Sequence, residues 1–146
     1  MRIGHRGAIL APMLSIYRVA LAVMGVSALY AGLLNTVLAS AVIEQFYDVQ
    51  LADPQAVTAV DTQARILAGM WTAAGLFVLF AIKDVARYTV PLSFVFLGFA
   101  LSAIGEFSTQ VMLGNTIDAL PKALVQVAIP VGIAAWGFFV ARKQQR

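Results

Sequence analysis

The stretch VALAVMGVSALYAGLLNTVLASAVI, from Val19 to Ile43, contains no charged residue. A helix rises about 1.5 Å per residue, so about 20 apolar residues cross the roughly 30 Å of bilayer hydrocarbon. This run exceeds that length. Three further apolar runs follow it, at 66–82, 91–112 and 120–141. Four runs of spanning length predict an all-α fold, an integral membrane four-helix bundle of up-down topology forming one domain over 1–146. Residues 1–18 are then a cytoplasmic tail, and 44–65 an acidic outer segment.

Composition agrees with that reading. The 146 residues are 61% hydrophobic and 12% charged, whereas soluble domains carry about 25% charged residues. The net charge of +3 does not point to nucleic acid, because the cations flank apolar runs instead of gathering on one helix face. With no cysteine, disulfides, thiolate metal sites and dithiol redox pairs are excluded. Arg2 and Arg6, the apolar run and the small residues Ala39-Ser40-Ala41 resemble a secretion signal. A signal core is roughly 7–15 residues, however, so the longer run is expected to remain as a span.

Lysine and arginine give the orientation. Arg2, Arg6, Arg18, Lys83, Arg87, Arg142, Lys143 and Arg146 fall on one side of a four-crossing chain, and only Arg65 and Lys122 on the other. The cation-rich side is cytoplasmic, which places both termini in the cytoplasm. Glu44, Asp48, Asp53, Asp61, Glu106 and Asp118 lie outside and only Asp84 inside.

Small residues recur where helices would approach. Gly25, Ala28 and Gly32 form a stripe on span one, Gly69 and Ala73 a pair on span two, and Gly98, Ser102 and Gly105 a stripe on span three. In lipid, helices associate through packing more than through apolar burial, and small residues let backbones come close. Asp53-Pro54 reads as a helix start, with Asp53 as N-cap and Pro54 where its missing N–H costs nothing. No breaker follows before Arg65, so that helix is expected to run into span two. Lys83 to Val90 reads as a short connection making spans two and three antiparallel neighbours, with Pro91 opening span three. Gly114-Asn115 reads as its end, and Asp118 as the N-cap of span four. Pro130 falls within span four and frees the carbonyl of Gln126.

Few residues offer chemistry. Glu106 sits near the end of span three, where an intramembrane acid is usually paired or faces a polar cavity; its possible cationic partners are Arg65 and Lys122. Asn35 in span one and Gln126 in span four are polar at a comparable depth, so Arg65, Glu106, Gln126 and Asn35 form the candidate polar pocket. The plainer reading, which is preferred for each residue, is a structural ion pair or a water-exposed acid at a helix end for Glu106 and a helix-to-helix hydrogen bond for Asn35. His5 is the single histidine, leaving no imidazole pair for a metal. The chain has no nucleophile elbow, phosphate loop or metal-spaced acid cluster. No catalytic residue, cofactor or metal is therefore expected, and an enzyme is the least supported class.

Ala64-Arg65-Ile66-Leu67-Ala68-Gly69-Met70-Trp71, following a polar segment and leading into an apolar run, resembles a family of short four-span bacterial membrane proteins described as a domain of unknown function. The likeness covers most of 15–141, with Gly105, Ser108 and Gly114 as further anchors. It implies a bacterial inner membrane and a four-helix bundle. It also implies a basic residue near the end of span three, where this chain has Glu106. The expected role is an accessory or stabilising interaction subunit of a membrane complex, or a homo-oligomer, with membrane lipids and a membrane-protein partner and no nucleic acid. The alternative is a small transporter or lipophile-binding protein whose outward-facing polar pocket lies near Arg65, Glu106 and Gln126.

Overall fold

A computed structural model describes residues 4–39, 41, 44, 53–112, 114 and 116–144, with side chains described from residue 11 onward. Among these residues the chain is all-α. Helix α1 covers Gly4–Leu38, α2 Pro54–Ala81, α3 Val85–Met112 and α4 Thr116–Gln144, with a 3-10 turn at Ile82–Asp84 between α2 and α3. By length and composition, three helical stretches can cross a membrane: Ala11–Leu38, Pro54–Met112 and Thr116–Gln144.

The helices extend beyond the apolar runs. Where a separate tail was expected over 1–18, α1 begins at Gly4 and passes through Pro12. A single internal proline removes one backbone donor, here the N–H that would bond the Ala8 carbonyl, and the helix continues around it. Helix α2 starts as the sequence implies. The Asp53 carboxylate accepts the N–H of Gln55 at 3.1 Å and of Ala56 at 3.3 Å, and the Asp53 carbonyl accepts the N–H of Val57 at 2.9 Å. The helix then runs without interruption to Ala81.

The connection expected over Lys83–Val90 is only the three-residue turn, and Pro91 lies inside α3 instead of opening it. Asp84 accounts for the early start: its Oδ1 accepts the N–H of Arg87 at 3.2 Å, satisfying a donor that the first turn of a helix leaves free. Pro91 is tolerated because the carbonyl it leaves unbonded belongs to Arg87, an exposed residue in the first turn of the helix. Helix α3 ends at Met112, where Gly114 adopts φ 83° and donates to the Val111 carbonyl at 3.1 Å. Only glycine takes this left-handed conformation without penalty. Helix α4 begins at Thr116, so Asp118 lies in its first turn and is not its N-cap; there it faces the positive end of the helix dipole.

The contacts divide the chain into two compact units, Met1–Leu21 with Ala81–Arg146, and Ala22–Phe80. In the second unit α1 and α2 run antiparallel, with Gly25 against Leu79, Gly75 against Leu29 and Gly32 against Thr72. A Cβ on Gly75 would lie 2.6 Å from the Leu29 nitrogen and 2.7 Å from the Gly25 carbonyl oxygen, and one on Gly32 would lie 2.8 Å from the Ala68 carbonyl oxygen. These two backbones touch because no side chain separates them. In the first unit α3 and α4 form a hairpin whose core is Val85, Leu92, Phe96, Ala100 and Ala103 against Ala123, Pro130, Gly137 and Val140. Tyr17 of α1 packs edge-on to Trp136, with 5.4 Å between ring centres, and its hydroxyl fills the space where Gly137 has no side chain.

Burial runs opposite to that of a water-soluble protein. The inner positions are largely alanine and glycine, while Val37 is 73% exposed, Phe94 70% and Met70 65%. In water such a surface would far exceed the few hundred Å² of contiguous apolar patch that monomers tolerate. In lipid it costs nothing.

Candidate functional site

Side-chain hydrogen bonds between helices occur at two places, one in each unit. At the α3–α4 hairpin, Glu106 comes from α3 and Lys122 and Gln126 from α4. Residues four apart share a helix face, so both α4 side chains turn toward the same carboxylate. Lys122 Nζ donates to Glu106 Oε1 at 2.6 Å, and Gln126 Nε2 donates to Oε2 at 3.4 Å. The Lys122 side chain is 60% exposed and that of Glu106 26%. Pro130, one turn further along α4, cannot donate to the Gln126 carbonyl. A carboxylate, an ammonium group, an amide and a released backbone carbonyl are thus concentrated in one short stretch of the hairpin.

The chemistry open to this cluster follows from its pairing. Both carboxylate oxygens accept hydrogen bonds, and the ammonium group cancels the acid's charge. The cluster holds α3 against α4 near the turn that joins them. Among the described residues no three His, Cys, Asp or Glu side chains come together in a metal-binding group.

The second polar place lies in Ala22–Phe80. Arg65 Nε donates to Asp61 Oδ2 at 2.9 Å, an i,i+4 pair on α2, while its Nη1 reaches across to the Thr36 carbonyl at 2.6 Å. Thr36 is in the last turn of α1, where carbonyls lack intrahelical donors. The guanidinium therefore caps one helix from another. Asn35 Nδ2 donates to the Ala31 carbonyl at 2.8 Å, and Thr36 Oγ1 to that of Gly32 at 2.9 Å, so both side chains bond back along their own helix.

Of the four candidate pocket residues, the structure brings Glu106 and Gln126 together with Lys122, while Arg65 and Asn35 belong to the other unit and have partners there. The stripes also separate. Gly25, Ala28 and Gly32 are buried. On α2 the close approach uses Ala68, Thr72 and Gly75, whereas a Cβ at Gly69 would meet nothing within 4 Å and Ala73 is exposed. Gly98 and Gly105 likewise have nothing within 4 Å, and Ser102 between them is exposed. The sequence contained a signal for the α2 face: Ala68, Thr72, Gly75 and Leu79 recur at spacings of four, three and four. A shallow open depression on the first turns of α2, lined by Pro54, Gln55, Thr58, Ala59, Thr62 and Gln63, lies along one helix face. Its two threonine hydroxyls bond back to the carbonyls of Pro54 and Thr58.

Residues 16–140 match the profile of a family described as a domain of unknown function, DUF4345. None of the curated proteins and none of the solved structures matches this chain.

Proposed function

We propose that this chain, which belongs to the DUF4345 family, is a four-span protein of the bacterial inner membrane that works through contact with other membrane proteins. It is an accessory or stabilising subunit of a larger assembly, or a homo-oligomer. One observation carries the reading: Gly98, Ser102 and Gly105 line an exposed face of α3 with open space above both glycines, while the corresponding stripe on α1 is filled by α2. In lipid, an open small-residue face favours close approach by another helix.

Four crossings are favoured over three by the stretch Pro54–Met112. Its 59 residues would extend about 90 Å as one straight helix, roughly three hydrocarbon thicknesses. The Asp84 cap starts a new helix at Val85, which divides the stretch into two lengths that each suit one crossing. The lysine and arginine distribution then puts both termini in the cytoplasm.

Extraction in a mild uncharged detergent followed by mass measurement tests this reading. An oligomer or a complex is expected. A Gly98→Ile/Gly105→Ile variant should fold and lose that association, and a wild-type chain recovered only as monomer overturns the proposal.

A second reading, a small transporter or lipophile-binding protein with an outward-facing polar pocket, is favoured by the convergence of Lys122 and Gln126 on Glu106. Under it, Glu106→Gln abolishes proton-coupled uptake in reconstituted vesicles. Unchanged uptake removes this second reading.

A further inference from the structure

We infer that the end of the α3–α4 hairpin remote from its turn, together with the adjoining part of α1, is a binding surface for an anionic phospholipid headgroup. The inference rests on the membrane reading above. Counting back from the Glu106–Lys122 pair along antiparallel helices brings Arg87 level with Ala141. The hairpin remains packed to that end, because Val85, Thr89, Val140 and Ala141 are all buried. Tyr17 against Gly137 sets Arg18 about one helical turn closer to the middle. Arg18, Arg87, Arg142 and Lys143, all exposed, thus come from three helices of one unit to one end. The acid nearest them, Asp84, has its Oδ1 engaged in capping α3 through the Arg87 N–H.

Two of these cations rest on aromatic rings. Lys143 Nζ lies 4.5 Å from the centre of the Phe139 ring, and the Arg87 guanidinium 5.5 Å from that of Tyr88. Each ring supports a long side chain along the helix and presents its charge at one level. On the same faces one turn further in, Val90 is 55% exposed and Phe139 47%, so apolar surface lies beneath the cations. Charge above and apolar surface below match a phosphodiester with its acyl chains. Guanidinium groups donate paired hydrogen bonds to phosphate oxygens, and a basic cluster beside a span attracts acidic lipid. The opposite end of the hairpin differs: its cation Lys122 is paired with Glu106, and Asp118 adds negative charge.

The test uses the full chain, stripped of lipid in an uncharged detergent and titrated with phosphatidylglycerol or phosphatidylcholine, with bound lipid read by native mass spectrometry. Wild type should retain phosphatidylglycerol in preference to phosphatidylcholine. Affinity should fall about fivefold for each charge removed in an Arg87→Gln, Arg142→Gln and Lys143→Gln series, and Arg87→Lys/Arg142→Lys should keep most of it. Raised salt on wild type gives the same information without any variant and should also release the lipid. Equal retention of both lipids, or phosphatidylglycerol binding indifferent to salt and to the triple change, overturns the inference while leaving the membrane reading intact. A chain that stays monodisperse with no detergent overturns both.

Discussion

In Ala22–Phe80 three glycines sit where two helix backbones touch, whereas Gly98, Gly105 and Gly132 of the α3–α4 hairpin face open space. Gly25, Gly32 and Gly75 bring α1 and α2 so close that an added Cβ would strike a main-chain atom or an adjoining side chain. The hairpin instead encloses Leu92, Phe96 and Val140. Both pairs are built in lipid, where apolar side chains gain little by turning inward and packing geometry decides which faces meet. The two small-residue stripes therefore differ: that of α1 is filled by its own neighbour, and that of α3 stays open.

The sharpest way to break this contrast is to put the same side chain into both stripes. Gly75→Leu drives its Cβ into the Leu29 nitrogen and the Gly25 carbonyl, which are backbone and cannot rotate away. The expected cost is about 3 kcal/mol or outright loss of the folded chain. Gly98→Leu meets nothing within 4 Å and should leave unfolding in detergent within about 0.5 kcal/mol of wild type. Denaturant titration of the two variants side by side checks this. Equal destabilisation would mean that the two stripes do not differ.

How much of this was legible in the sequence depends on how far each feature reaches. The start of α2 at Asp53-Pro54 and the glycine end of α3 at Gly114 are local, each settled by hydrogen bonds within four residues, and residue type alone announced them. The membrane character is an average over whole runs and was equally plain. Which face of α2 packs was not: Gly69 and Ala73 have a valid packing spacing, yet the helix is rotated so that Ala68, Thr72 and Gly75 meet α1, and rotation is fixed by the partner helix. Helix bounds followed the same division. Pro91 read as a boundary because proline breaks isolated helices, but one lost hydrogen bond did not outweigh the helix on either side. At the polar site, Glu106 was readable as an acid in need of a partner. The choice between Arg65 and Lys122 needed the hairpin, which sets Lys122 across from Glu106, while Arg65 is occupied by Asp61 and the end of α1.

The two polar places sharpen the comparison further. Arg65 donates to the Thr36 carbonyl in the last turn of α1 from a side chain that is half exposed, so Arg65→Gln should destabilise the α1–α2 unit by about 1 kcal/mol, with Arg65→Lys restoring part of it. Glu106 belongs to an ion pair whose lysine is 60% exposed, and such pairs contribute little. Glu106→Gln should therefore cost less than about 1 kcal/mol in the same titration. A larger loss for Glu106→Gln than for Arg65→Gln would reverse the ranking and make the hairpin cluster the more important anchor.

The smallest effect concerns the end of α1. Ala39 follows the helix with φ 37° while fully buried, and its N–H donates to the Asn35 carbonyl at 3.0 Å. The left-handed region costs a residue with a Cβ about 1–2 kcal/mol, which is why glycine usually occupies this place after a helix. Ala39→Gly removes that strain but adds freedom to the unfolded chain worth about 0.5–1 kcal/mol and gives up a buried methyl. With the methyl worth about 0.8 kcal/mol the three terms nearly cancel, so the change should stay within about 0.5 kcal/mol of zero, read as the shift in unfolding midpoint. Its sign discriminates: a gain means that backbone geometry governs the end of α1, whereas a loss means that the buried methyl does. The second outcome would show that side-chain packing matters even in the unit where two helix backbones touch.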